Sequence, residues 1–228
     1  MVLFLTLLSG AAWTIVYIVS IRVGFTQKTY AIPLAALALN FAWEWIYAVN
    51  GLVTDRSVQT YINLAWALAD VVIVVTFFRY GRRELPRFVS RWMFIGWGVA
   101  VIAAAFVVQW LFLLEFGWNA AARYTAFLQN VLMSGLFIAM FVARRGARGQ
   151  SLVIGCAKWI GTLAPTIVFG ALMGSGFILG LGILCTVFDL AYIGLLLWAR
   201  QNPAVFDAKA SADGLDRAQV ADAVSLAH

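Results

Sequence analysis

Hydrophobic residues fall into long runs along the chain, and polar residues are gathered in short stretches between them. Each run is about as long as the ~20 apolar residues that an α-helix needs to cross the hydrocarbon core of a bilayer. The runs lack the alternation of polar and apolar residues that membrane β-barrels show. The pattern predicts seven membrane-spanning helices, at Leu3–Ile21, Tyr30–Val49, Tyr61–Phe78, Trp92–Leu114, Ala122–Val142, Leu152–Met173 and Phe177–Ala199.

The composition agrees with an all-α membrane protein. Of the 228 residues, 64% are hydrophobic and 11% are charged, whereas about a quarter of the residues in a soluble domain are charged. A soluble enzyme, a disordered chain and a disulfide-built secreted domain are thereby excluded. Because the connections are short, we expect neighbouring helices to pack antiparallel in one compact bundle.

The basic residues predict which way the bundle faces. Only Arg56 and Arg123 lie on one side, and most of the others lie on the opposite side. Positively charged loops stay cytoplasmic, so we expect the N-terminus outside and the C-terminus in the cytoplasm, with a bacterial cytoplasmic membrane as the location. The net charge of +6 then reflects topology, and no nucleic-acid partner is expected. The residues on the cytoplasmic side are Arg22, Lys28, Arg79, Arg82, Arg83, Arg87, Arg91, Arg144, Arg145, Arg148 and Arg200.

The two ends of the chain raise separate questions. No basic region precedes the first run, and its apolar character continues past the small residues 9–12, which favours a true first span over a signal peptide. After Pro203 the composition becomes rich in Ala and Asp. We predict a transmembrane domain over residues 1–203 and a mobile cytoplasmic tail over residues 204–228, with a short helix near Asp216–Ala227.

Pro165 interrupts the sixth predicted span. Proline has no backbone N–H, so the carbonyl of Gly161, four residues earlier, loses its partner within the helix. We therefore expect a kink at this position.

Four ionisable residues lie inside the predicted spans: Glu44, Asp70, Lys158 and Asp189. A charge at the bilayer centre costs about 2.5–3.5 kcal/mol on insertion scales, so each should face the bundle interior and have a partner or a function. A structural ion pair of Lys158 with Asp70 or Asp189 is the simpler explanation for two of them. One lysine leaves acids unpaired, and Glu44 is the one for which a functional role is favoured most.

Other polar and aromatic residues share helix faces with these charges, because residues three or four positions apart are neighbours on a helix. Interhelical hydrogen bonds would explain one or two such stripes, but the sequence has five. We expect them to converge on one interior pocket. The accompanying residues are Asn40, Trp43, Tyr47, Asn63, Trp66, Gln129, Asn130, Ser134, Thr162, Thr186 and Tyr192.

A dry pocket of this kind suits one type of chemistry. A carboxyl in hydrocarbon keeps its proton because desolvation disfavours the charged form, so it can act as a general acid at neutral pH. Aromatic faces attract cations, and the chain has 17 Phe, 10 Trp and 7 Tyr. Such an acid can protonate an alkene or epoxide while the aromatic rings stabilise the carbocation. The sole histidine is His228 and the acidic motifs DDxxD and DxDD are absent, so no metal site is expected.

In the order and spacing of these fragments, the sequence resembles the small seven-span membrane terpene cyclases of fungal meroterpenoid and paxilline-type indole diterpene pathways. The short length favours their bacterial relatives, which make drimentine-type indole sesquiterpenes. The fragments that carry the resemblance are Asn40 to Tyr47, Trp66 to Asp70, Gln129 to Ser134, Lys158 to Thr162 and Asp189 to Tyr192.

The resemblance implies an isomerase-type enzyme without cofactors, which cyclises a farnesyl-type chain already attached to an aromatic or indole scaffold. It also implies functional coupling to a prenyltransferase. The two essential acids of the family match Glu44 and Asp189. We expect Glu44 to donate the proton and Asp189 to orient Glu44 or return a proton to it. The alternative exchanges these roles, with Asp189 as the donor. Supporting roles in substrate binding are expected for Asn40, Trp43, Tyr47, Trp66, Asp70, Gln129, Asn130, Lys158 and Tyr192.

A seven-span pump or carrier is the competing class. A retinal protein needs its Schiff-base lysine in the last span, whereas Lys158 lies in the sixth. A proton-coupled transporter is usually built on internal repeats, and no repeat is evident, although the glycine-rich last two spans leave a carrier open.

Overall fold

The long apolar runs form α-helices in the computed structural model, which describes residues 1–203 and 205–206. No strand forms within these residues. A 3₁₀ turn, Gly81–Glu84, follows the third helix, and a π-helix, Thr166–Leu172, continues the fifth. The helices are α1 Val2–Thr26, α2 Leu34–Thr54, α3 Val58–Tyr80, α4 Arg91–Ala143, α5 Leu152–Pro165 and α6 Gly176–Gln201.

Serine residues mark the start of four helices. A side-chain oxygen at the N-cap accepts a hydrogen bond from a backbone N–H that has no partner in the first turn. The Ser57 side chain accepts from the N–H of Thr60, and Ser90 accepts from that of Met93. Ser151 and Ser175 do the same at the starts of α5 and α6. These caps explain why the connections end where they do.

The helices pack side by side in a closed ring. Following their contacts around the ring, the order is α1, α3, α2, α4, α6, α5 and back to α1. Each helix therefore turns one face inward, and polar residues on those faces meet inside the bundle.

Two predicted spans, 92–114 and 122–142, lie within the single helical segment α4. The sequence predicts a connection over residues 115–121, but only Gly117 leaves the helical conformation, with φ 69° and ψ 170°. The two arms fold back on each other, because Gln109 Nε2 lies 2.9 Å from Gln129 Oε1. In a straight helix these residues would be about 30 Å apart. Gly117 can reverse the chain in one residue because it has no Cβ.

Within the described residues, five helices are long and apolar enough to cross a membrane. They are Val2–Thr26, Val58–Glu84, Arg91–Ala143, Leu152–Leu172 and Gly176–Gln201. Helix α2 is less apolar because polar residues such as Asn40, Glu44 and Asn50 interrupt it. The count of seven spans and the orientation of the termini stay predictions.

The regular α-helix is interrupted at Pro165, where the sequence predicts a kink. Helix α5 ends at Pro165, and the chain continues as the π-helix Thr166–Leu172. The carbonyl of Gly161, which lacks its intrahelical donor, accepts a hydrogen bond of 2.7 Å from the Ser9 hydroxyl. The break in α5 thus provides a polar contact with α1.

The predicted tail over residues 204–228, including the helix near Asp216–Ala227, lies outside the described residues except for Val205 and Phe206. The ring of Phe206 packs against Trp198 and Phe141, with centroids 5.0 and 5.9 Å away.

A Gly117→Ala substitution is expected to destabilise the protein. Alanine is strained at this φ and ψ, at a cost of about 1–3 kcal/mol. Thermal unfolding of the detergent-solubilised chain measures the effect. Gly135→Ala, in a helical position with open space around it, is the control and should not lower the midpoint. Equal midpoints for the two variants would contradict the single-residue reversal.

Candidate active site

A cavity of about 550 Å³ lies inside the ring of helices. Its size falls within the range of roughly 300–1,000 Å³ that is typical of small-molecule sites. Residues of α1, α2, α3, the second arm of α4, α5 and the π-helix line it. The aromatic side chains in the lining are Trp13, Tyr17, Trp43, Trp66, Phe127 and Phe169.

The structure places six of the eleven predicted site residues along this cavity. The other five, which do not line it, are Tyr47, Asp70, Lys158, Asp189 and Tyr192. The six that line the cavity are Asn40, Trp43, Glu44, Trp66, Gln129 and Asn130.

Glu44 is the one acid among the lining residues. Helix α2 turns it toward the interior, where its side chain is buried with 3% exposure. Its Oε2 atom has no hydrogen-bond partner among the described residues. An ionised carboxylate with an unpaired oxygen is costly in an apolar site, and no basic side chain pairs with Glu44 among the described residues, so this environment suits a carboxylic acid better than a carboxylate.

The Asn40 side chain connects the neighbours of Glu44. Its Nδ2 donates to the Tyr17 hydroxyl at 2.6 Å and to Asp70 Oδ2 at 2.9 Å. Its Oδ1 accepts from Gln129 Nε2 at 3.3 Å. Because these residues belong to four helices, the network fixes α1, α2, α3 and the second arm of α4 around the cavity. Asp70 is therefore one hydrogen bond behind the lining.

Asp189 has a different environment from the other two buried acids. Lys158 Nζ lies 2.9 Å from Asp189 Oδ1 and 3.0 Å from Oδ2. It also donates to Ser134 Oγ at 2.6 Å. Lys158 and Asp189 are at most 1% exposed. Of the two pairings considered for Lys158, the structure has the one with Asp189.

The aromatic residues are oriented by neighbours on other helices. Tyr17 stacks on Trp66 with ring centroids 5.8 Å apart. The Trp43 indole donates to the carbonyl of Ala122 at 3.1 Å, and Tyr47 packs on Trp43 at 4.6 Å. Tyr47 thus supports a wall of the cavity from behind.

Tyr192 packs against Phe137, with ring centroids 5.1 Å apart. It is fully buried, and its hydroxyl has no hydrogen-bond partner among the described residues. The structure therefore places Tyr192 in the packing between α6 and the second arm of α4.

Sequence reasoning missed Tyr17 and Gln109. Gly10, Trp13 and Tyr17 recur at helical spacing on one face of α1, a signal that could have revealed Tyr17. The first predicted span contains no charged residue, so a prediction based on buried charges does not include it. Gln109 is an isolated polar residue in an apolar run. Its amide donates to the carbonyl of Leu39 and to Gln129.

Apolar helices around an aromatic cavity that contains a buried acid define a polytopic membrane protein with an internal binding site. The profile of the Pyr4-like transmembrane terpene cyclases matches residues 1–202, and the chain belongs to this family. The resemblance stated from the sequence is thereby confirmed. The protein is an integral membrane protein of a family of enzymes that cyclise terpenoids.

Curated relatives carry matching descriptions. The chain is 28% identical over 167 residues to the Pyr4-family terpene cyclase mfmH of Annulohypoxylon moriforme, covering 72% of this chain and 68% of that one. It is 25% identical over 208 residues to the terpene cyclase pyr4 of Aspergillus fumigatus, covering 86% of each. It is 31% identical over 173 residues to the terpene cyclase ascF of Acremonium egyptiacum, covering 68% and 61%. No solved structure matches significantly.

Family membership favours the enzyme over a pump or carrier. The three relatives named above are fungal, so a bacterial origin stays a prediction. The expectation of catalysis without a metal or other cofactor likewise stays a prediction.

Removing one member of the buried ion pair is expected to destabilise the protein strongly. Lys158→Met leaves the Asp189 carboxylate without its counter-charge, a loss of about 3–5 kcal/mol in the free energy of unfolding. The double variant Lys158→Met with Asp189→Leu should recover most of that loss. Unfolding in mild detergent measures both, with Lys28→Met on the exposed surface as control. A Lys158→Met variant as stable as the control would contradict an energetically coupled pair.

Proposed function

We propose that the protein cyclises the prenyl chain of a prenylated aromatic or indole scaffold, and that Glu44 supplies the proton that starts the reaction. One observation carries this proposal. Of the three buried acids in the spans, only Glu44 lines the aromatic cavity, and no basic side chain pairs with it among the described residues. A protonated acid facing a bound alkene or epoxide is the arrangement that acid-initiated cyclisation requires.

The steps balance as an isomerisation. The Glu44 proton adds to the CH carbon of the terminal double bond and leaves a tertiary carbocation, or it adds to the oxygen of an epoxide, whose C–O bond then breaks to leave the carbocation and a hydroxyl group. Successive double bonds attack the cation and close rings, and loss of one proton to a base ends the sequence. A weaker acid is sufficient to protonate an epoxide than to protonate an alkene. Both substrates are compatible with the cavity.

Aromatic rings on several sides of the cavity support a cationic intermediate. Trp43, Trp66 and Tyr17, from three different helices, line the cavity together with Glu44. A cation near an aromatic face is stabilised by about 0.5–2 kcal/mol, more when it is desolvated. The buried position also keeps water from quenching the cation.

Asp189 is proposed to act as a positioning residue. Its partner Lys158 also donates to Ser134, whose hydroxyl donates to the carbonyl of Asn130 at 2.8 Å. Asn130 lines the cavity. The chain of contacts thus extends from Asp189 to the cavity wall, and Asp70 supports the opposite side through Asn40.

Polar side chains at the rim suggest how the substrate is oriented. Gln59 and Arg123 line the cavity, and both are exposed. Arg123 uses Nε to bind the carbonyl of Asn119 at 3.1 Å, and its terminal amino groups make no hydrogen bond among the described residues. We propose that the polar scaffold binds at this rim, and that the prenyl tail enters from the bilayer and extends inward to Glu44. A prenyltransferase would supply this substrate.

Glu44→Gln is expected to lower the cyclisation rate by about 10²–10⁴-fold, because the amide cannot donate the proton. Membranes containing the full chain are supplied with a farnesylated indole or its epoxide, and products are quantified by mass spectrometry. The loss should be larger for the alkene. Glu115→Gln, an exposed acid outside the cavity, is the matched control. Full cyclisation by Glu44→Gln would refute the assignment of the acid, and full cyclisation by Asp189→Asn would refute the positioning role.

Arg123→Gln is expected to raise KM several-fold with kcat little changed, because the rim contacts the scaffold and not the reacting bond. Arg56→Gln is a close control, since Arg56 is exposed and its Nε binds the carbonyl of Leu52 at the same distance of 3.1 Å. Steady-state kinetics on the same prenylated substrate compare the two. Equal kinetic constants for both variants would contradict the proposed orientation.

A further inference from the structure

A second, larger cavity lies at the end of the bundle where α3 ends and α4 begins. It measures about 1,090 Å³ and forms a cleft open to the surface. Its lining contains five arginines and no acidic residue. The arginines of this basic cleft are Arg79, Arg82, Arg83, Arg87 and Arg91.

Within the described residues, no acidic side chain forms an ion pair with these arginines. Glu84 is the acid closest to them along the chain, but it accepts from Thr29 at 2.8 Å and pairs with Arg144 and Arg148 at 3.6 and 3.5 Å. Within the described residues, the polar contact made by the basic cleft is weak: Arg82 Nε donates to the carbonyl of Val89 at 3.4 Å. Five like charges in one cleft repel one another, so an anion bound there would be stabilising.

The walls of the basic cleft are apolar on the side that faces the spans. Phe78, Phe94 and Val99 line it, and Val99 is 55% exposed on the outer surface of α4. Nearby, Phe88 and Trp92 are each 79% exposed, as is typical of aromatic residues at a membrane interface. A ligand that fits this surface has an anionic head and a hydrocarbon tail.

Guanidinium groups are suited to the anion that such ligands carry. Their planar donors bind phosphate oxygens in pairs and are weakly hydrated. We propose that the basic cleft binds an anionic phospholipid, with the phosphate among the arginines and an acyl chain along Phe78 and Val99. The surrounding bilayer supplies such lipids at high local concentration, and the apolar wall is continuous with the lipid-facing surface. This favours a phospholipid over free phosphate or a prenyl diphosphate, and the inference does not depend on the proposed reaction.

The test measures binding of short-chain lipids to the full chain in neutral detergent, by thermophoresis or native mass spectrometry. The probes are dioctanoyl phosphatidic acid, dioctanoyl phosphatidylcholine, geranyl diphosphate and inorganic phosphate. We expect phosphatidic acid to bind most tightly. The double variant Arg83→Gln/Arg87→Gln should raise the Kd for phosphatidic acid by roughly ten- to thirty-fold. Each basic residue near an anionic lipid contributes about a three- to fivefold change in affinity.

The matched control is Arg22→Gln/Arg200→Gln, which removes two exposed arginines outside the basic cleft. It should leave the affinity for phosphatidic acid within about two-fold. Equal losses in both double variants would overturn the site. Equal affinity for phosphatidylcholine and phosphatidic acid, measured on the unsubstituted chain, would overturn the proposal even if a variant failed to fold. Tighter binding of geranyl diphosphate or inorganic phosphate would overturn the assignment to a phospholipid.

Discussion

The hydrogen bonds of Asn40 are the interaction on which the candidate site depends. Inside a membrane bundle no bulk water satisfies polar groups, so they must be paired with one another. The Asn40 amide contacts Tyr17, Asp70 and Gln129 at 2.6–3.3 Å. These residues come from helices that are distant in sequence and adjacent in the ring. The same network that satisfies the buried amide therefore positions Glu44, one turn further along α2, at the wall of the cavity.

Three carboxyls with similar intrinsic acidity have different environments in this bundle. Asp189 has a lysine counter-charge and does not line the cavity. Asp70 accepts one amide hydrogen bond. Glu44 lines the cavity, and among the residues that the structure describes it has neither a counter-charge nor a partner for Oε2. Only the last environment combines access to a ligand with a preference for the neutral acid, so the division of roles follows from burial and pairing.

Much of this arrangement could be predicted from particular residues. Apolar runs located the helices, and Pro165 predicted the interruption of α5 and the loss of the intrahelical donor to the Gly161 carbonyl, because these effects are local. Spacing alone could not choose between Asp70 and Asp189 as the partner of Lys158, since that choice depends on how the helices are ordered in the ring. The sequence prediction also missed Tyr17: its spacing marks a face of α1, but its contacts with Asn40 and Trp66 depend on how α1 packs in the ring. The sequence predicts a longer connection in place of the one-residue reversal at Gly117, because the identity of a glycine near a helix end does not reveal its φ.

The central claim is that a carboxylic acid is held protonated at the wall of an aromatic cavity inside the membrane. Infrared difference spectroscopy of the membrane-reconstituted protein at neutral pH, unsubstituted minus Glu44→Gln, tests it most directly and requires no substrate. The account predicts that the substitution removes an absorption band of a protonated carboxyl group. Removal of a carboxylate band instead would show that Glu44 is ionised at rest, and would contradict its role as the acid that starts cyclisation.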